Sequence, residues 1–287
     1  MKALFLYNPI SGRGLTSHQI TYIFHQLTLI YESVDYQLCQ TSDELSHFVE
    51  LSCSQYEVLI FAGGDGTFHH VLNALKNHFS RPIIGIIPCG TLNDASKNFG
   101  YQKNISQALK IIKKGHVRKI DVFKANDIYG IFSLSVGTFS SIPYLVKHQR
   151  KKRHGRWAYY WKAFLSLCHH HQIAGKVLIP LKQQTITFKA SFILFLNSAY
   201  MGGFRINPRS CLDDGLIDFL YTDKGWFNGL FRYFFRSHLI KHFSLNNCIV
   251  KLETVENWDI DGEKMTGREV HIQVLKDYLQ VLSNKHF

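Results

Sequence analysis

Apolar and polar residues alternate in two different ways along this chain, and the first of them fills residues 1–124. Short apolar runs are separated there by stretches whose apolar residues recur with helical spacing. Strands that alternate with helices indicate an α/β domain built on a parallel sheet. The predicted strands are Ala3–Tyr7, Val34–Cys39, Glu57–Phe61 and Pro82–Pro88, and the predicted helices are Ser17–Tyr31, Asp43–Cys53, Thr67–Asn77 and Ile105–Lys114.

Residues 125–287 show a different pattern, in which short apolar runs are separated by turn-forming residues such as Asn126-Asp127 and Asp213-Asp214-Gly215. This texture predicts a mainly antiparallel β-sandwich as a second domain. The last stretch, Glu269–Leu282, alternates like a strand pair. In one possible arrangement this C-terminal tail packs back on the first domain. The other predicted strands are Ile120–Ala125, Ile128–Val136, Gly175–Pro180, Thr185–Lys189, Ser191–Asn197, Leu216–Tyr221, Asn247–Leu252 and Val255–Ile260, with helices at Ser141–His148, Arg156–His169 and Trp226–His238.

Charge is spread unevenly over the 287 residues, whose formal net charge is +12. Between Ile128 and Leu212 there is no Asp or Glu, while that window holds twelve Lys and Arg residues. The densest part, residues 147–156, precedes a cluster of Trp and Tyr. Basic and aromatic residues side by side favour an anionic membrane surface as partner. Nucleic acid would also be attracted, and a solvated basic loop is the simplest alternative, but we do not expect a nucleic-acid binder.

The cysteines and the lengths of the apolar runs predict the cellular location of the protein. Its six cysteines form no CxxC pair, which favours reduced thiols in the cytoplasm. The apolar start is too short for a signal peptide, and no run reaches the ~20 apolar residues of a membrane span. We therefore expect a cytoplasmic protein that associates peripherally with the inner face of the membrane.

The most informative motif is Gly63-Gly64-Asp65-Gly66-Thr67, which lies between an apolar run and an amphipathic stretch. A glycine-rich turn lets backbone N–H groups approach a ligand closely, and a following helix directs its positive end to the same place. Such a turn suits phosphate. Asp65 fits if a divalent cation mediates, since Mg²⁺ prefers carboxylate and phosphate oxygens. The alternative is a strand-to-helix turn in which Asp65 is a local cap.

Three other loops carry polar groups of the same kind. Asn8-Pro9-Ile10-Ser11-Gly12 follows the first strand, and Gly90-Thr91-Leu92-Asn93-Asp94 follows the fourth. Asp261-Gly262-Glu263 comes late in the chain and places two carboxylates around a glycine. Carboxyl ends of parallel strands form the ligand crevice of α/β sheets, so the first two loops and Gly63–Thr67 are expected at one edge. Each acidic residue could instead be a helix cap or a turn residue.

Taken in order, NPxSG, GGDGT, GTxND and a late DGE resemble the soluble lipid kinase family, which includes bacterial cytosolic diacylglycerol kinases and the catalytic domains of eukaryotic diacylglycerol, sphingosine and ceramide kinases. The resemblance extends to Met201–Pro208 and Leu212–Asp218 and so covers nearly the whole chain. It implies a nucleotide-binding first domain and a lipid-binding second domain. It also implies ATP and Mg²⁺ as cofactors, a lipid substrate and, as one arrangement, a homodimer.

The resemblance assigns roles to individual residues. Asp261 matches the general base for the lipid hydroxyl, and Glu263 would support Mg²⁺ or the phosphates. Asp65, Asp94 and Asp121 would build an aspartate–water–magnesium network. A structural Mg²⁺ would lie on the Asp214 side chain and the carbonyls of Cys211 and Leu216. The residues expected to hold ATP are Asn8, Ser11, Gly12, Thr41, Gly63, Gly64, Asp65, Gly66, Thr67, Thr91 and Asn93.

The sequence departs from the family pattern at two places. Ser96 and Lys97 follow GTxND where an alanine-rich helix start is usual, and His69 follows GGDGT-x. Two other functions stay open: a NAD-kinase-like soluble phosphotransferase, and a non-catalytic regulator that binds lipid or nucleotide. The expected activity is phosphorylation of a lipid hydroxyl, with diacylglycerol converted to phosphatidic acid.

Overall fold

A computed structural model describes residues 1–9, 14–101, 104–137, 172–201, 204–208, 210–221 and 240–284. These residues form two compact units, one comprising Met1–Ile120 and the residues from Asp277 onward, the other Asp121–Lys276. The helices predicted at Ser141–His148, Arg156–His169 and Trp226–His238 lie outside the described residues, as does the basic run at 147–156. Within the described ranges, every helix is too short or too polar to cross a lipid bilayer.

The first unit is built on a parallel sheet in the order β2–β1–β3–β4. Apolar residues fill β1, β3 and β4 almost without interruption, as expected for strands covered on both faces. The end of β16 adds to this sheet through the parallel pair Val281 and Ile84. The strands are β1 (Lys2–Tyr7), β2 (Ser33–Leu38), β3 (Val58–Gly63) and β4 (Ile83–Pro88).

In the part of the first unit that the structure describes, three helices connect these strands and two more follow β4. Thr16 begins the first of them with a capping box, in which its hydroxyl accepts the Gln19 N–H and the Gln19 side chain accepts the Thr16 N–H. Helix α2 packs against α3, and α1 packs against α5. The helices are α1 (Ser17–Thr28), α2 (Ser42–Gln55), α3 (Asp65–Leu75), α4 (Asp94–Asn98) and α5 (Ile105–Lys114).

The second unit consists mainly of antiparallel strands. Residues 249–252 of its long strand β15 pair with β8, and residues 258–260 pair with β7. The partner changes across a register irregularity between Lys251 and Glu256, which bends the strand. The strands are β5 (Val117–Ala125), β6 (Ile128–Gly130), β7 (Ser133–Gly137), β8 (Ile173–Ile179), β9 (Gln184–Ala190), β10 (Phe192–Leu196), β11 (Tyr200–Met201), β12 (Phe204–Arg205), β13 (Ile217–Tyr221), β14 (Lys241–Leu245), β15 (Asn247–Ile260) and β16 (Glu263–Leu282), with a short 3₁₀ helix at Pro180–Lys182.

The core of the second unit is aromatic. Phe195 and Phe219 stack with their ring centroids 4.7 Å apart, and Tyr221 stacks on Phe219 at 5.0 Å. Trp258 is fully buried in the same cluster and donates its indole N–H to the Gly267 carbonyl. Large aromatic side chains bury much apolar area, and the indole N–H is satisfied without water. Strands β7, β10, β13 and β15 are neighbours in one sheet, and their buried side chains belong to this one core.

The predicted fold class, an α/β nucleotide-type domain followed by a mainly antiparallel β-rich domain, is confirmed. Several strands of the second unit differ from the prediction. Asn247–Leu252 and Val255–Ile260 form one strand, because the irregularity bends it without ending it. Glu269–Leu282 is the later part of a single strand and not a strand pair. Ile128–Val136 is divided at residues 131–132, and Lys241–Leu245 was missed as a strand.

Candidate active site

The glycine-rich motif lies at the point where β3 ends and α3 begins. Gly63 is the last residue of β3, Gly64 is the N-cap of α3, and Asp65 opens the helix, which therefore starts two residues earlier than predicted. A methyl group on Gly63 would lie 2.5 Å from the buried Thr67 side chain. The turn is thus too tight for any residue with a Cβ, and it directs the start of α3 to the carboxyl edge of the sheet.

A second loop, which follows β4, touches the first one. Strands β3 and β4 are parallel neighbours with Gly63 opposite Pro88, so both loops leave the same edge. A methyl group on Gly90 would lie 2.5 Å from the Gly64 Cα. Because the obstructing atom belongs to the backbone, it could not move aside as a flexible side chain would. The two loops therefore approach as closely as they do only because both positions are glycine.

Asn93 fixes the shape of the second loop. It adopts a left-handed backbone conformation with φ of 56°, which asparagine tolerates better than most residues. Its side-chain N–H donates to the Gly90 carbonyl at 2.9 Å. Its Oδ1 atom is buried and has no hydrogen-bond donor among the described residues. A buried amide oxygen without a donor is costly unless a ligand, cation or water supplies the partner.

Asp65 and Asp94 lie on either side of this junction. Asp65 accepts the Ala95 N–H at 2.8 Å, so the carboxylate of the first loop holds the start of α4, which belongs to the second. Asp94 is buried, and its Oδ1 forms an ion pair of 2.9 Å with Lys97 Nζ. Both carboxylates and the Asn93 oxygen are hard oxygen donors grouped around the start of one short helix.

Three aromatic rings pack against one another in the core beneath both loops. The ring centroids of Phe61 and Phe68 are 5.5 Å apart in a tilted arrangement, and those of Phe68 and Phe99 are 5.9 Å apart in an edge-to-face arrangement. Phe61 belongs to β3, Phe68 to α3, and Phe99 follows α4, so these contacts join β3, α3 and the end of α4. All three are nearly or fully buried. They fix the distance between α3 and α4 independently of the glycine contact.

Two other predicted nucleotide residues, Asn8 and Thr41, follow the carboxyl ends of β1 and β2. Asn8 directly follows β1 and is half-buried, while Ser11 and Gly12 lie outside the described residues. Thr41 is exposed and is the N-cap of α2, where its hydroxyl accepts the Glu44 N–H at 3.1 Å. Tyr7, which the sequence analysis missed, accepts the Leu15 N–H at 2.7 Å and closes the base of the Asn8 loop.

In the second unit Asp121 is completely buried on β5. Its carboxylate accepts the Gly215 N–H, and its own N–H donates to the Leu212 carbonyl. The buried amide of Asn197 donates to the carbonyls of Asp121 and Ile131. Asp121 therefore fixes the turn at residues 212–215 against β5, which is a structural role that the sequence pattern did not indicate.

That turn carries the predicted structural metal residues. Asp214 accepts the Leu216 N–H at 2.9 Å, and Cys211 is exposed at the beginning of the turn. Partial burial raises the pKa of Asp214, and the charges of Asp218, Asp121 and Asp213 raise it further, although the Leu216 N–H acts in the opposite direction. Neighbouring carboxylates repel one another when they are ionised, and a bound cation would offset that repulsion.

Asp218 is a polar centre that the sequence analysis missed. It is buried on β13, where it accepts from Asn207 Nδ2 at 2.6 Å and from the Ser244 hydroxyl at 2.8 Å. His242 Nε2 lies 2.7 Å from the same carboxylate. Asp218 thus ties the Asn207 turn to β13 and β14. Its only sequence signal was its place at the end of the Leu212–Asp218 motif.

Asp261 occupies the tight turn that connects β15 and β16. Asp261 and Gly262 have φ values of 53° and 98°, as in the two-residue turns that fit the twist of a hairpin. The Asp261 carboxylate accepts three backbone N–H groups, from Ile131 at 2.6 Å and from Phe132 and Ser133 at 2.9 Å. Glu263, the other acidic residue of the motif, is exposed at the start of β16.

Comparison of the chain with known proteins shows which family it resembles. A family profile described as the diacylglycerol kinase catalytic domain matches residues 2–125. A diacylglycerol kinase of Staphylococcus carnosus is 31% identical over 229 residues, covering 78% of this chain and 73% of that protein. A diacylglycerol kinase of Staphylococcus saprophyticus is 30% identical over 225 residues, with the same two coverages of 78% and 73%.

The chain belongs to the diacylglycerol kinase family.

Solved structures agree with this membership at the level of the fold. The crystal structure of a diacylglycerol kinase from Bacillus anthracis aligns with a TM-score of 0.82 at 22% identity, covering 99% of this chain and 97% of that one. A second structure from the same organism aligns with a TM-score of 0.88 at 25% identity, covering 99% and 96%. Members of the diacylglycerol kinase family are lipid kinases, and the chain is an enzyme of that class.

The residues of this family member fit Mg²⁺ by their donor chemistry. Among the described residues no group of three or more His, Cys, Asp and Glu side chains is arranged to hold a metal. The expected sites need fewer side chains, however, because phosphate, water and carbonyl oxygens complete the coordination of Mg²⁺. Asp65, Asp94 and the Asn93 oxygen without a donor supply suitable atoms in the first unit. Asp214 and the neighbouring carbonyls supply them in the second.

We expect Gly90→Ala to separate the two loops of the diacylglycerol kinase fold. The added methyl group would contact the Gly64 Cα, and overpacking of this kind costs about 1–3 kcal/mol of unfolding free energy. Urea unfolding measures the loss, and ATP affinity should fall in parallel. Gly267→Ala is the matched control, because its nearest neighbour would be 3.7 Å away. A Gly90→Ala protein as stable as this control would show that the contact is not restrictive.

The raised pKa of Asp214 predicts how stability changes with pH. The native state holds this proton more tightly than the unfolded chain, so the carboxylate lowers stability as pH rises through and above the ordinary aspartate range. In EDTA, Asp214→Asn should therefore gain in Tm relative to the wild type between about pH 4 and 7. Asp127→Asn, in an exposed turn, is the control. If the Tm difference between Asp214→Asn and the wild type stayed constant as pH rises, or changed in favour of the wild type, the raised pKa of Asp214 would be contradicted.

Proposed function

We propose that this protein transfers the γ-phosphoryl group of ATP to the hydroxyl group of diacylglycerol, with Mg²⁺, and releases phosphatidic acid. The observation that carries the proposal is the junction of two glycine loops at the carboxyl ends of β3 and β4, in a chain whose relatives are named diacylglycerol kinases. Phosphoryl transfer depends mainly on positioning and on electrostatic stabilisation of the phosphates. Closely approaching backbone loops suit both requirements.

ATP would bind along the carboxyl edge of the sheet of the first unit. Gly63–Thr67 and the start of α3 would receive the phosphates, since backbone N–H groups and a helix N-terminus favour anions. Thr91 and Asn93 would contribute from the second loop, and Thr41 would lie toward the adenosine. Asn8, Ser11 and Gly12 would complete the nucleotide contacts from the loop that follows β1.

The carboxylates have separate proposed roles. Bound Mg²⁺ would neutralise phosphate charge, and Asp65, Asp94 and Asp121 would hold it and its water molecules. Asp214, with the Cys211 and Leu216 carbonyls, would hold a structural Mg²⁺ in the second unit. Each of these aspartates already accepts a backbone N–H or an ammonium group, which fixes its direction.

Asp261 would accept the proton of the lipid hydroxyl as that oxygen attacks the γ-phosphorus, and Glu263 would support the phosphates or Mg²⁺. A general base has to be held within hydrogen-bond reach of the proton that it removes. The three N–H groups of Ile131, Phe132 and Ser133 hold the Asp261 carboxylate in one orientation. This supports a positioned base more than a solvated turn residue.

The proposed setting is the inner face of the membrane, where the enzyme would associate peripherally from the cytoplasm. The support is the distribution of charge, with twelve basic and no acidic residues between Ile128 and Leu212. Basic residues near an anionic bilayer contribute about 1 kcal/mol each. Diacylglycerol stays within the bilayer, so an enzyme that phosphorylates it gains by remaining at that surface.

The test is transfer of radiolabelled phosphate from ATP to diacylglycerol in vesicles that contain anionic lipid, with Mg²⁺ or EDTA. We expect labelled phosphatidic acid only with Mg²⁺, and less of it when the vesicles are neutral or the salt concentration is high. Sphingosine, undecaprenol and NAD are alternative acceptors in parallel reactions. Labelling of one of these, with none of diacylglycerol, would contradict the proposed substrate.

For Asp261→Asn we expect kcat to fall about 100-fold or more, because the amide cannot accept the proton. An amide retains only one acceptor oxygen for the three N–H groups, so the unfolding free energy should also fall, by about 1–3 kcal/mol. Activity is therefore measured well below the Tm of the variant, beside Asp127→Asn as a control. An Asp261→Asn enzyme with kcat within a few-fold of the wild type would refute the role of Asp261 as base.

A further inference from the structure

Lys97 lies at one of the two places that the sequence analysis noted as departures from the family pattern, and it contacts a proposed magnesium-network residue. Its Nζ lies 2.9 Å from Asp94 Oδ1, and the side chains are 28% and 10% exposed. Asp94 opens α4 and Lys97 follows one turn later, a spacing at which helical side chains meet. The pair is thus formed inside a five-residue helix and needs no other element to bring its members together.

The surroundings of Asp94 give this ion pair a function. Asp65 accepts the N–H of Ala95, the residue after Asp94, so a second carboxylate lies at the beginning of α4, the helix that Asp94 opens. Neighbouring carboxylates disfavour each other's charge unless a cation lies close. Asp94 is also buried, which makes an uncompensated charge costly. Lys97 supplies a positive charge at this point within the chain itself.

A second feature indicates that a further ligand belongs at the same place. Asn93, the residue before Asp94, is 3% exposed, and its Oδ1 receives no hydrogen bond from the described residues. That oxygen would lie 2.6 Å from a methyl group built on Gly90, so it is directed toward the junction of the two loops. An oxygen atom of this kind can coordinate a cation or accept from a bound ligand.

We propose that Lys97 is a positioning residue that acts as a built-in counter-ion of Asp94. It holds the carboxylate in place before magnesium arrives, and it competes with Mg²⁺ for the same oxygen. The inference rests on the proposed function in so far as Asp94 belongs to the magnesium network. Its consequence is a loop that stays ordered without the metal, at the expense of weaker Mg²⁺ binding.

The variant Lys97→Met tests the proposal without a measurement of catalytic activity. The full-length protein is unfolded thermally in EDTA and then in increasing MgCl₂, with neither nucleotide nor lipid present. Relative to the wild type, we expect a lower Tm in EDTA and a larger gain in Tm with Mg²⁺. The half-maximal Mg²⁺ concentration should be about two- to fivefold lower, as the competition of a partly exposed ion pair allows.

Three further variants make the result specific. Lys97→Arg keeps the positive charge and should restore the wild-type response to Mg²⁺, which a loss of packing alone would not predict. Lys113→Met, on the exposed face of α5, should behave as the wild type. In an Asp94→Asn background, Lys97→Met should no longer change the Mg²⁺ midpoint, because the two changes act through one contact. If Lys97→Met does not fold, Lys97→Gln replaces it in every arm.

An unchanged Mg²⁺ midpoint in Lys97→Met, or no restoration by Lys97→Arg, would overturn the proposal. Phosphate transfer to diacylglycerol by the wild type is measured alongside. If the wild type is active and the midpoint does not move, the counter-ion role fails while the proposed function stands. If the wild type phosphorylates no lipid but the midpoint moves as expected, the proposed function fails and the counter-ion role stands.

Discussion

The candidate nucleotide site depends on one steric constraint, the contact of two glycine backbones at the carboxyl ends of neighbouring strands. Gly64 and Gly90 lie so close that a methyl group on either would be within 2.8 Å of the other residue's Cα. This contact brings the first turn of α3 beside the loop that carries Asn93 and Asp94. The packed rings of Phe61, Phe68 and Phe99 hold the same elements together from the core. The polar groups above them therefore have fixed positions before any ligand binds.

A second theme is that the proposed catalytic carboxylates are also parts of the fold. Asp65 accepts an N–H from α4, Asp121 accepts one from the turn at Gly215, and Asp261 accepts three from residues 131–133. Buried or half-buried carboxylates need such donors, because their desolvation is otherwise costly. The same bonds orient the carboxylates. Loss of activity on substitution is therefore expected together with some loss of stability, and kinetic effects have to be separated from folding effects.

The sequence predicted the fold class and the edge of the sheet at which the loops after β3 and β4 meet, because hydrophobic period and turn residues are local signals. It predicted two strands where one bent strand exists, since a change of partner between β8 and β7 leaves no local mark in residues 251–256. Asp218 and Tyr7 were missed for the same reason. Their importance comes from hydrogen-bond partners outside their own strands, which are Asn207 and His242 for Asp218 and Leu15 for Tyr7. Lys97 was noted only as a departure, and its ion pair with Asp94 appears only in three dimensions.

If the loops at Gly63–Thr67 and Gly90–Asp94 act together as one phosphate-binding structure, ATP should order both of them at once. Hydrogen–deuterium exchange of the full-length protein, with and without Mg²⁺ and ATP, measures this. We expect amides in both loops to become protected together and at the same ATP concentration, while strands β8 and β9 are unaffected. Protection confined to one loop, or absent from both at saturating ATP, would contradict a joint phosphate-binding role of the two loops.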